Sequence, residues 1–173
     1  MTKRSSGPPT DTQLEQMARA VGAALRGRGW MMATAESCTG GWIAKLITDQ
    51  PGSSEWFDRS FVSYSNAAKQ EMLGVSPRTL DAHGAVSEET VREMARGALD
   101  KSNAQVTIAI SGIAGPDGGT HSKPVGSVWL AWSVYSEAMV ARLDRYHGDR
   151  DSVRRYAVMN ALAGLLDLLV PGE

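Results

Sequence analysis

The sequence predicts an α/β fold, a three-layer α/β/α sandwich on a mixed, mostly parallel sheet with one late antiparallel hairpin. Short apolar runs at 30–33, 61–64 and 106–110 alternate with stretches of helical spacing, the pattern of strand–helix–strand units. Two further runs, 127–135 and 139–145, follow one another with a turn at Ser136-Glu137 between them, the pattern of a hairpin. At 173 residues and 42% hydrophobic content, the chain suits one domain with a proper core.

Residues 1–9 are polar and proline-rich and read as a flexible tail. Thr10-Asp11-Thr12-Gln13 has the form of a capping box, and Leu14, Met17, Ala18, Val21 and Leu25 continue from it at helical spacing, predicting a helix over 11–27. The strand at 30–33 leads into Thr34-Ala35-Glu36-Ser37-Cys38-Thr39-Gly40-Gly41, a small and polar turn. Trp42, Ile43, Leu46 and Ile47 then form one face of a helix running to about 49, which Pro51-Gly52 closes. After the strand at 61–64, Ser65 or Asn66 can cap a short helix carrying Ala67, Ala68, Lys69, Met72 and Leu73, closed by Gly74. A helical turn over 77–84 and a helix from Ser87 to about 101 follow, the latter with Glu88 and Glu89 where the helix dipole favours acids.

The run Val106-Thr107-Ile108-Ala109-Ile110 is the strongest strand signal, and the glycine-rich stretch 111–124 after it reads as a long loop, a kind of segment that is often functional. Beyond the hairpin, Gly148-Asp149-Arg150-Asp151 opens a last helix, which Pro171-Gly172 ends. The domain therefore spans 10–170, with a tail at 171–173.

A net charge of −1, with both signs scattered, gives no electrostatic case for nucleic acid or an anionic membrane and favours a small-molecule or protein partner. The single cysteine and the three well-separated histidines predict no disulfide and no metal site, and the cytoplasm is the expected compartment. No P-loop, G-x-S-x-G or S-x-x-K pattern is present.

What remains is the turn at 34–41. Its serine, cysteine and threonine offer two hydroxyls and a thiol, and the glycines allow close approach to backbone amides that could hold an oxyanion or a phosphate. Ser37 or Thr39 could also be no more than an N-cap. A base for Ser37 is offered by Lys69, in the first turn of its helix, where the dipole disfavours a positive charge. That effect is under one pKa unit, so a lysine working near neutral pH also needs burial; otherwise Lys69 is a solvated surface residue.

Five segments together resemble the CinA C-terminal domain family, the nicotinamide-nucleotide amidase or NMN deamidase family: 34–41, Phe61-Val62-Ser63-Tyr64-Ser65-Asn66-Ala67-Ala68-Lys69, His83-Gly84-Ala85-Val86-Ser87, Ser111-Gly112-Ile113-Ala114-Gly115-Pro116-Asp117-Gly118-Gly119 and Lys123-Pro124-Val125-Gly126. The resemblance covers about 11–168 in the same order and implies that 10–170 is a single amidase domain. It implies hydrolysis of nicotinamide mononucleotide to nicotinic acid mononucleotide and ammonia in pyridine-nucleotide recycling, without a cofactor. It also implies Ser37 as nucleophile, Lys69 as base and Tyr64 as an assisting hydroxyl.

The amides of Thr39, Gly40 and Gly41 are then candidates for the oxyanion, and the Ser111-Gly112 loop and Arg150 for the nucleotide phosphate. Arg150 could equally be a surface residue or pair with Asp149 or Asp151. In the family the arginine of this Gly-Asp-Arg segment is associated with a site across a subunit interface, which implies a homo-oligomer. Two other classes stay open: an amidase for another small amide, and a non-catalytic partner-binding domain related to competence and DNA damage.

Overall fold

A computed structural model of the chain describes residues 7–170. The elements run α1 (Asp11–Arg28), β1 (Met32–Glu36), α2 (Trp42–Thr48), a 3₁₀ turn (Ser53–Glu55), β2 (Phe57–Val62), α3 (Asn66–Leu73), α4 (Pro77–His83), α5 (Glu88–Asp100), β3 (Val106–Gly112), β4 (Ser127–Val134), β5 (Val140–Arg145) and α6 (Arg150–Leu169). One sheet, ordered β2-β1-β3-β4-β5, pairs β1 in parallel with β2 and β3, while β4 is antiparallel to both β3 and β5. Four strands thus point one way and β4 alone points back.

Side chains alternate across the strands and sort the core into two layers. Met32, Val106, Ile108, Ile110, Val128, Leu130 and Trp132 pack with α1, α2 and α6, while Ala35, Ala109 and Ala131 pack with the helices on the other face. Those alanines let α5 lie close to the sheet, and the Thr107 hydroxyl donates to the Ala95 carbonyl at 2.9 Å. Where α5 crosses the end of α3, a Cβ on Gly97 would sit 1.9 Å from the Leu73 carbonyl oxygen, so only glycine fits.

The capping box of Thr10 and Gln13 forms, Ser65 caps α3, Ser87 caps α5 and Asp149 caps α6. Three boundaries differ from the sequence reading. β1 extends through Thr34, Ala35 and Glu36, because their backbone pairs with β2 on one side and β3 on the other. β3 runs through Ser111 and Gly112, which pair with Trp129 and Val128 of β4, so the loop begins at Ile113. β2 lies at Phe57–Val62, several residues earlier than the apolar run suggested. Of the expected tails, residues 1–6 and 171–173 lie outside the described residues. Pro9 is buried and its carbonyl accepts from Arg155 at 3.2 Å, so the chain is already anchored before α1 begins.

Candidate active site

The first connection leads from β1 outward to β2, and the next crosses back over to β3, so β1 and β3 are neighbours whose connections leave in opposite directions. Such a switch point leaves a crevice beyond the carboxyl ends of the strands. Ser37 follows β1, Ser63 and Tyr64 follow β2, and Ser111 and Gly112 end β3, so all five converge there. All but Ser63 border a cleft of about 170 Å³ with Cys38, Lys69, Ala85, Val86, Ala114 and Arg150.

Ser37 continues the alternation of β1. Glu36 turns toward α2 on one face of the sheet, and Ser37 turns to the other face, where α3 brings Lys69. Lys69 is only 1% exposed. Its Nζ lies 3.0 Å from Ser37 Oγ, 2.8 Å from the Ser63 carbonyl and 3.2 Å from the Tyr64 carbonyl. Burial pushes the amine below the usual lysine range of about 10.5. These three oxygens can take the three hydrogens of a protonated amine, and when the amine is neutral the two carbonyls can take its two hydrogens while its lone pair meets the Ser37 hydroxyl. Burial, with the lysine beside a serine at a strand end, was the requirement that spacing alone left open.

Cys38 also borders the cleft but is a poor nucleophile. Burial pushes its thiol up to about 11, outweighing the opposite pull of Arg154.

Tyr64 is placed differently from its expected role. Its hydroxyl meets Arg150 Nη2 at 3.2 Å, while its carbonyl, not its hydroxyl, contacts Lys69. Arg150 reaches the same cleft within one chain, donating also to the Gly115 carbonyl at 2.8 Å.

Thr39, Gly40 and Gly41, the expected oxyanion donors, face a separate depression against Trp42, Arg154 and Arg155, and the Gly40 and Gly41 amides are already paired within the turn. The Gly40 amide donates to the Ser37 carbonyl at 3.0 Å, the Gly41 amide to the Glu36 carboxylate at 3.1 Å, and the Thr39 hydroxyl to the same carboxylate at 2.8 Å. Ser37 and Thr39 are not caps either. Gly41 occupies the N-cap of α2 without a side-chain bond, and Glu36 satisfies the first-turn amides instead.

The Ser111 hydroxyl donates to the Ala85 carbonyl at 2.6 Å, which ties the α4–α5 loop to the cleft wall. At Gly112 a Cβ would lie 2.6 Å from a Val128 methyl, so the glycine is needed for packing against β4. Lys123 ties the glycine-rich loop to the end of α4 by donating to the His83 carbonyl at 2.6 Å. Among the described residues no group of three or more His, Cys, Asp or Glu side chains is placed to hold a metal.

Sequence reasoning missed Glu36 and Arg154. The signal for Glu36 was available: an acid just before a helix whose own N-cap position is glycine. Arg154 gives no such signal, because it lies more than a hundred residues from the turn whose carbonyls it binds.

The model of the CinA C-terminal domain matches residues 14–169. Over 156 residues the chain is 54% identical to nicotinamide-nucleotide amidohydrolase PncC of Escherichia coli (strain K12), covering 90% of this chain and 94% of that protein. A CinA-like protein of Akkermansia muciniphila is 50% identical over 159 residues, 92% of this chain but 38% of the longer relative. The crystal structure of the competence/damage inducible protein CihA from Agrobacterium tumefaciens superposes with a TM-score of 0.88 at 44% identity, over 95% of this chain and 99% of the other. With the family model matched over almost the whole described chain and relatives this similar, the chain belongs to the CinA C-terminal domain family.

Proposed function

We propose that the protein is a nicotinamide-nucleotide amidase, a hydrolase that converts nicotinamide mononucleotide to nicotinic acid mononucleotide and ammonia by a serine–lysine mechanism. The observation that carries this reading is the 3.0 Å approach of the buried Lys69 amine to the Ser37 hydroxyl. The name of the E. coli relative, which the chain spans almost end to end, supports the substrate.

Lys69 Nζ takes the Ser37 proton as Oγ attacks the carboxamide carbon. The same proton passes to the leaving nitrogen as the C–N bond breaks, so ammonia departs and an ester to Ser37 remains. Water then attacks the ester with Lys69 as base, the proton returns to Oγ, and the acid is released.

A cleft of about 170 Å³ is small beside the usual 300–1,000 Å³ of ligand pockets, so it accepts the carboxamide ring and leaves the ribose phosphate at the rim. Arg150 is the cation at that rim and takes the phosphate. The place of the reaction is pyridine-nucleotide recycling in the cytoplasm, the working form is a homo-oligomer, and residues 10–170 act as one amidase domain. Exposed Val62, Tyr64 and Val125 support an oligomer, and the free cysteine Cys38 suits a reducing compartment.

Ammonia release from nicotinamide mononucleotide, free nicotinamide and a panel of other small amides tests the reading. The nucleotide should be turned over far more efficiently than nicotinamide, because binding energy from the phosphate orients the carboxamide. Equal efficiency on both, or preference for an unrelated amide, would redirect the assignment, and no release from any amide would leave a partner-binding domain.

A further inference from the structure

The Ser37 turn is gripped by two charged side chains that do not border the cleft. Glu36 is fully buried. Its Oε2 accepts from the Thr39 hydroxyl at 2.8 Å, the Gly41 amide at 3.1 Å and the Ile43 amide at 3.2 Å. Its Oε1 accepts from the Ala44 amide at 3.0 Å and the Thr34 hydroxyl at 3.2 Å. From the other side, Arg154 of α6 donates through Nε to the Cys38 carbonyl at 3.0 Å and through Nη2 to the Thr39 carbonyl at 3.1 Å. Its guanidinium lies 5.1 Å from the centre of the Trp42 ring.

A strand-to-helix turn does not need this. One Ser, Thr or Asp at the N-cap would be the ordinary way to satisfy a first-turn amide, whereas a carboxylate with five donors and, among the described residues, no ion-pair partner carries a large desolvation cost. The extra grip falls on the residues flanking Ser37. The side chain just before it locks the end of β1 to the start of α2, and the two carbonyls just after it are pinned to α6. Ser37 is left to turn only toward Lys69. Nucleophile–base pairs are sensitive to this kind of control, since a misplacement of about 1 Å can cost about 10²-fold in rate.

We propose that Glu36 and Arg154 are positioning residues that hold the Ser37 hydroxyl at hydrogen-bond distance from Lys69, acting through the turn and not on the substrate. The inference rests on the serine–lysine reading above. It is tested by two rates on the full chain: phosphonylation of Ser37 by a fluorophosphonate, followed by intact mass, and ammonia release from nicotinamide mononucleotide. Glu36→Gln keeps the shape but turns an N–H₂ toward amide donors. Arg154→Met removes two surface-side bonds without stranding a buried charge, so it folds even where Glu36→Gln does not.

Each folded variant, checked by a cooperative melt, should label about 10- to 100-fold more slowly, with kcat lower by the same factor and KM within about twofold. A variant that melts earlier but labels at the wild-type rate below its transition would overturn the proposal, leaving both residues as stabilisers of the fold. Rapid labelling of wild-type Ser37 without ammonia release from any amide would refute the substrate assignment while the labelling rates still decide this one. A wild type that does not label would overturn the positioning role together with the serine–lysine mechanism.

Discussion

The parallel half of the sheet and its antiparallel half bury very different side chains. Around the ends of β1, β2 and β3 the interior holds Glu36, Ser37, Thr39, Ser63, Lys69 and Ser111. Along β4 and under α6 it holds Val128, Leu130, Trp132, Val158, Leu162 and Leu165, with the Trp132 indole donating to the Ala161 carbonyl at 2.8 Å. Burying charge costs free energy and burying hydrocarbon supplies it, so under the proposed mechanism one half carries the chemistry and the other carries the stability that makes it possible. Substitutions should therefore separate cleanly, with large activity losses on one side and large stability losses on the other.

The largest effect is expected at Lys69. Lys69→Arg keeps a positive charge but cannot give up its proton, so kcat/KM should fall about 10²–10⁴-fold, nearly as far as in Lys69→Ala. Substantial activity in the arginine variant would reduce Lys69 to a fixed charge and remove the base from the chemical half of the comparison.

Trp132→Ala is the opposite case. It should cost about 3–5 kcal/mol and lower Tm by roughly 6–20 °C, with kcat/KM of the folded fraction unchanged. A matching loss of activity below the transition would mean that the two halves are coupled through β3, which pairs with both β1 and β4.

This division also sets what could be read from the sequence. Periodicity located the helices and the three-layer order, because apolar spacing is what the stabilising half is made of. The sequence offers Lys69 as a base for Ser37 but not the burial and contact that pair them, since these depend on β1 alternation and on α3 folding back over the strand ends. The turn was misjudged for a related reason. Glu36 looks like a polar turn residue, and only the pairing of β1 with β2 and β3 draws it into the sheet, where its carboxylate takes the Gly41 amide, one of the three expected at an oxyanion. Tyr64 was misplaced because a residue type identifies a hydroxyl but not its direction, which here is toward Arg150.

A smaller effect concerns pH. Burial holds Lys69 below its ordinary 10.5, so between the folded value and 10.5 the unfolded chain binds more protons than the folded one, and stability must rise with pH across that window. The penalty is fully present below the folded value and gone above 10.5. The slope from this one group is at most about 1.4 kcal/mol per pH unit. Urea unfolding of wild type and Lys69→Met from pH 7 to 10.5 should show the difference between them moving in favour of wild type as pH rises. The activity of wild type should climb with pH over the same range, as the neutral base is populated. A constant difference in stability would mean that Lys69 titrates alike in both states.

The smallest effect is expected at Cys38, where the two halves of the comparison come closest. It borders the cleft beside Ser37, the proposed nucleophile, yet is packed into the same hydrophobic cluster as Leu130 and Leu162. A thiol raised from an ordinary 9.0 to about 11 carries about a hundredth of the usual thiolate at neutral pH, so iodoacetamide should modify the folded protein far more slowly than the unfolded chain. Cys38→Ala removes one buried sulfur, which should cost about 1 kcal/mol of stability and change kcat/KM by no more than about threefold. Rapid alkylation with loss of turnover, together with a dead Cys38→Ala enzyme and an active Ser37→Ala enzyme, would move the nucleophile one residue along the turn. Cys38 would then belong to the chemical half, and Lys69 would have to act on a sulfur that its 3.0 Å contact with Ser37 Oγ does not favour.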